Sequence, residues 1–102
     1  MARPTNAQNP ILLGSGAQID PNEVTKVRNR LSRAIGQLQG VVGMIDNGES
    51  CEATMMQMLA ASKAVDRAAF ALLLAGFNAC SDSANDSAES RAALERLFMS
   101  LA

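Results

Sequence analysis

At 102 residues the chain has room for one domain of ordinary size. Its 48% hydrophobic and 19% charged content is that of a folded protein, and with 3% aromatics and no Trp or Tyr its core must be built from Ala, Leu, Val, Ile and Met, the composition of packed helices. His is absent, which excludes Ser-His-Asp and Cys-His catalysis and His-ligated zinc or copper, and a net charge of −1 leaves the overall charge silent about nucleic acid. Ile11-Leu12-Leu13 is too short for the apolar region of a signal peptide. The longest charge-free apolar stretch, Ala68 to Ala79, falls short of the roughly 20 residues that a membrane span needs. These features predict a cytoplasmic protein that makes no membrane contact and whose two cysteines stay reduced.

Residues 1–20, with Pro4, Pro10, Gly14, Gly16 and many small polar side chains, read as a flexible N-terminal arm, and residues 21–102 as a three-helix domain. Helix one is expected over Pro21 to Asp46. Asp20 is placed to cap it, Pro21 suits its first position, and Asn47-Gly48 stops it. Apolar residues at Val24, Val27, Leu31, Ile35, Leu38, Val42 and Ile45 follow intervals of three and four, a heptad-like stripe. A second helix is expected from the Ser50 cap to about Asn78, apolar on every side from Ala68 to Ala75. The Ser81–Ser87 run reads as a polar loop. A shorter third helix follows, with Leu94, Leu97, Phe98 and Leu101 on one stripe. The fold class is all-α. A second helix of roughly 43 Å cannot be covered by one short partner within a chain, which predicts self-association into an antiparallel helical bundle.

Two groups of side chains carry possible chemistry. Lys26, Arg30, Arg33 and Gln37 share a face of helix one with no acidic residue between Val24 and Ile45, and Lys63 and Arg67 add a basic pair one turn apart on helix two. Such rows suit a phosphate backbone, or are plain solvated faces. Cys51 lies in the first turn of helix two, where the helix dipole favours an anionic sulfur, although Glu49 and Glu52 oppose it. Cys80 lies near the far end, roughly 40 Å away along a continuous helix, far beyond disulfide reach within one chain. In an antiparallel dimer Cys51 can face Cys80 of the partner subunit, at two equivalent sites. The alternative is two buried small hydrophobes. Met55, Met56 and Met58 are either core filler or a soft-metal cluster. Nothing calls for a cofactor, and neither a Cys-x-x-Cys motif nor a convergent acid/base set points to an enzyme.

Arg30-Leu31-Ser32-Arg33-Ala34-Ile35-Gly36-Gln37-Leu38-Gln39-Gly40 resembles the signature that opens the copper-sensitive operon repressor family. Met44-Ile45-Asp46, Cys51-Glu52 and Ala64-Val65-Asp66-Arg67-Ala68 fit the same pattern in order and spacing, so that the resemblance covers about residues 23 to 101. It implies a transcriptional repressor whose antiparallel dimers pair into flat tetramers and bind operator double-stranded DNA. It also implies that Arg30 and Arg67 lie where such repressors contact DNA. The family's inducer site uses a Cys at the start of helix two, with a His and a second Cys near that helix's end in the partner chain. The cysteines match Cys51 and Cys80, but the His position is Gly76. Retaining both cysteines without the His resembles the persulfide-sensing branch, in which persulfides or polysulfides crosslink the subunits. The alternative is a copper(I) repressor whose metal is held by the Cys51 and Cys80 thiolates alone. Ala2 in place of a Pro, and the long arm, argue against the formaldehyde-sensing branch.

Overall fold

The computed structural model describes residues 10–82 and 88–102; the expectations for residues 1–9 and for most of the 81–87 loop lie outside the described residues. Three helices follow one another, α1 (Pro21–Asp46), α2 (Cys51–Asp82) and α3 (Ala88–Leu101), and the described residues contain no strand. The start of α1 is fixed by Asp20, whose Oδ1 accepts the Asn22 N–H at 2.9 Å, and by Pro21, whose missing N–H has no helical partner to lose. At its end Gly48 takes φ +67°, which lets the Glu49 N–H reach the Met44 carbonyl at 2.9 Å. Ser50 then caps α2, its Oγ accepting the Ala53 N–H at 3.1 Å. α2 runs past Asn78 because Ala79 and Cys80 carry no breaker, so Cys80 lies inside the helix.

Along the α1–α2 hairpin a set of small buried residues recurs every seven positions. On α1 these are Val27, Ala34 and Val41; on α2, running the other way, they are Ala61, Ala68 and Ala75. Equal heptad spacing on antiparallel helices keeps one seam facing inward along the hairpin, and small side chains let the two axes approach. The apolar stripe of α1 therefore divides. Val24 and Val27 are buried, but Leu31, Ile35, Leu38, Val42 and Ile45 stay exposed. Ala34 is 2% exposed and Ile35, about 100° further round the helix, is 55% exposed. On α2 the stretch expected to be covered on every side also divides: Ala68, Leu73 and Ala75 are buried, whereas Phe70 and Leu74 face out. Met55, Met56 and Met58 are exposed too, so they fill no core within the single chain.

The Cα atoms span 54 × 38 × 14 Å, with a radius of gyration of 16.9 Å. A compact chain of this length is expected near 13 Å. A Cα thickness of 14 Å against 54 and 38 Å makes the molecule flat, with an apolar face left open.

The part of the expected arm that is described, residues 10–20, is folded back on the helices. Leu12 and Gln18 form an antiparallel bridge. The Leu13 N–H donates to the Ala17 carbonyl at 2.8 Å and the Ile19 N–H to the Ile11 carbonyl at 3.0 Å. Gly16, at φ +92°, makes the reversal. Ile19 is buried with Val24 and Ala75, and Leu13, Leu72 and Ala79 pack against them.

If the small-residue seam holds the hairpin together, Ala68→Leu should overpack it, lowering stability by about 1–3 kcal/mol. Thermal unfolding followed by circular dichroism should show a drop of several degrees. An unchanged midpoint would mean that the seam has slack.

Candidate functional site

The cysteines stand 29 positions apart on one continuous helix. At about 100° per residue this separation returns to within about 20° of the starting direction, so both thiols lie on one face of α2, at its opposite ends. Their surroundings differ. Cys51 is exposed in the first turn, and Cys80 is 1% exposed; both are free thiols.

Gly76, one turn before Cys80 on that face, is buried, and a Cβ built there would meet both Leu94 methyl carbons at 3.3 Å and Leu13 Cδ2 at 3.7 Å. The space beside Gly76 is thus occupied by α3 and by the N-terminal turn. Among the described residues no group of three or more His, Cys, Asp or Glu is placed to hold a metal ion.

The basic residues are brought together across helices. Arg30 of α1 and Arg67 of α2 line one cleft of about 630 Å³, with Phe70, Leu74 and Phe98 forming its apolar floor. The Phe70 and Phe98 rings, 6.0 Å apart and tilted by 45°, tie α3 to this side of α2. Glu23 and Asp66 line the same cleft, so its charge is mixed. Arg33 and Lys63 are exposed on their helices. Lys26 is also exposed, but its Nζ sits 3.4 Å from Glu23 Oε2, an acid lying just before the stretch that is free of acidic residues. Gln37 departs from its row: it is half-buried, and its Oε1 is shut from solvent with no hydrogen-bond partner. Leaving such an atom unpaired costs about 1–3 kcal/mol.

Sequence reasoning missed the packing role of Gly76 and the contact of the N-terminal turn with Ser90, for which the sequence holds no local signal. No helix of the described residues is long and apolar enough to cross a membrane.

Compared with known proteins, the chain matches the profile of a family described as metal-sensitive transcriptional repressor, over residues 23–101. No curated protein and no solved structure gives a match.

The unequal exposure of the thiols has a direct consequence. Iodoacetamide should alkylate Cys51 in the native protein and reach Cys80 at a comparable rate only in denaturant. Peptide mapping after a short exposure checks this; equal labelling at both sites under native conditions would contradict the burial of Cys80.

Proposed function

The chain belongs to the metal-sensitive transcriptional repressor family, and from that premise we propose that it is a thiol-switched repressor, released from operator DNA when Cys51 and Cys80 of the partner subunit react with persulfides or polysulfides. A repressor of this family is a DNA-binding regulator and not an enzyme. What its effector does must therefore be done by binding or by stoichiometric reaction. The observation that carries the sulfur reading is the thiol pair itself. Two cysteines mark the ends of one face of α2, and the position that would complete a three-ligand metal site is a packed glycine.

Assembly follows from the uncovered apolar surface. Leu31, Ile35, Leu38, Val42 and Ile45 on α1, with Phe70 and Leu74 on α2, are too extensive a patch for a soluble monomer to leave in water. An antiparallel dimer covers such a patch and sets the start of one α2 beside the end of its mate; pairing of two dimers keeps the flat shape. The Cys51 thiolate then attacks the outer sulfur of a persulfide R–S–SH, giving Cys51–S–SH and releasing R–S⁻. The Cys80 thiolate of the partner subunit attacks the inner sulfur, leaving a Cys51–Cys80 disulfide and HS⁻. If Cys51–S–SH first takes a second sulfur from another persulfide, the same closure at the middle sulfur leaves a trisulfide and HS⁻. The longer bridge spans a separation that a plain disulfide cannot. Either bridge ties opposite ends of two long helices, and so changes how their basic residues are presented.

The DNA contacts assigned here are Arg30 and Arg67, helped by Arg33, Lys63, Lys26 and Gln37. Arg30 and Arg67 converge on one cleft from two helices, which gives a phosphate two guanidinium partners; the acids beside them keep the cleft from being a nonspecific polyanion trap.

Mass spectrometry of non-reduced protein after treatment with glutathione persulfide tests the switch. The parent should give crosslinked dimers, some retaining a whole added sulfur atom. Cys51→Ser should give no crosslink, and Cys80→Ser should gain sulfur at Cys51 without crosslinking. Persulfide addition with no crosslink in the parent would reject the paired-thiol reading. For DNA, Arg30→Ala with Arg67→Ala should weaken binding at least tenfold and flatten the dependence of log affinity on log salt. Unchanged affinity in fluorescence anisotropy would remove these residues from the interface.

A further inference from the structure

The segment 10–20 lies outside the stretch matched by the family profile, residues 23–101, yet it is built onto the same end of α2 that carries Cys80. We infer that residues 10–20 form a strap that closes over this end of α2 and gates access to the Cys80 thiol. The inference deepens the thiol-switch reading, but the gate itself can be measured without it.

The strap is anchored on both sides of α2. On the α1 side it runs directly into the Asp20 cap, and Ile19 is buried at 4% exposure against Val24 and Ala75. On the α3 side the Ser15 N–H donates to Ser90 Oγ at 3.1 Å, and Gly14 approaches so closely that a Cβ there would lie 3.5 Å from the same oxygen. Between the anchors Leu13 lies over Gly76, and Leu13 and Ala79 each pack against the cluster of Ile19, Val24 and Ala75. Cys80 follows Gly76 by one turn on the same face and adjoins Ala79 in the chain, and it is 1% exposed although it stands two residues from the helix end. Helix termini are ordinarily wet; the strap, seated over Gly76 one turn away on the same face, is placed to keep this thiol dry.

The strap is also the element best suited to open alone. One bridge, a few hydrogen bonds and the Leu13 and Ile19 side chains hold it, and none of the helical ladder need break when it lifts. Gating gives the two thiols an order of reaction. Exposed Cys51 meets the sulfur donor first, while Cys80 is spared by stray electrophiles until the strap opens and it can resolve the modified Cys51 of the partner subunit.

The test uses the full chain carrying Cys51→Ser, so that Cys80 is the one thiol present, and iodoacetamide as the probe. Leu13→Asp, which drives a charge out of the contact over Gly76, should raise the alkylation rate of Cys80 at least tenfold with helicity unchanged by circular dichroism. A rate equal to that of the parent with helicity retained would overturn the inference and assign the shielding to α3 alone. Should Leu13→Asp lose helicity, hydrogen exchange on the Cys51→Ser parent decides. The Leu13 and Ile19 amides should be protected by the same factor, within tenfold, as the Cys80 thiol. Amides that exchange freely while Cys80 stays unreactive would overturn the gate. A gate demonstrated in this way, in a protein that forms no persulfide crosslink, would leave the strap standing and the sulfur-sensing reading refuted.

Discussion

The architecture depends on a packing choice made within one turn of α1. Ala34 and Val41, with Ala61 and Ala68 opposite in sequence order, give the hairpin a seam of small side chains. Small residues permit close helix approach but use up little of the apolar surface that the sequence carries. The larger residues, Ile35, Leu38 and Val42 among them, are left on an adjacent face, and the molecule is flat. The same constraint produces both the close approach of the two helices and the open apolar face on which the proposed self-association rests. It also fixes the cysteines: a straight, unbroken α2 delivers them to one face, too far apart to meet except across two chains.

The two ends of that face are chemically unlike. The N-terminal thiol is open to solvent and the C-terminal one lies under packed side chains, with Gly76 filled by Leu94 and Leu13. A site of this kind is poor in ligands and rich in control over order. One sulfur is open and the other must be uncovered, the asymmetry on which the proposed two-step covalent switch rests. Arg30 and Arg67 meet in a cleft of the α1–α2 hairpin, so Arg67 stands on the same helix as both cysteines.

Much of this was legible in the chain. The Asp20-Pro21 start and the Asn47-Gly48 stop fix α1, because caps are written in local residue types. The Arg30–Gly40 signature and the placement of Cys51 and Cys80 carried the family resemblance, with which the profile match over residues 23–101 agrees. What stayed hidden was set by distant contacts. Nothing local says that Ala34 rather than Ile35 faces inward; the choice belongs to the alanines on α2. Nothing in a Pro- and Gly-rich arm announces that Ser15 will meet Ser90, 75 residues on. The pairing of Lys26 with Glu23 escaped because the acid stands one residue outside the basic stretch.

The central claim is that sulfur transfer, and not metal capture, releases this repressor from DNA. The direct measurement takes a fluorescent duplex selected by the reduced protein from a random pool, forms the complex, and titrates it separately with glutathione persulfide and with buffered copper(I) under anaerobic conditions. The account predicts that persulfide abolishes the anisotropy signal, that dithiothreitol restores it, and that copper(I) at equal equivalents leaves the complex intact. Full release by copper(I) with no change in covalent mass, and no response to persulfide, would contradict it.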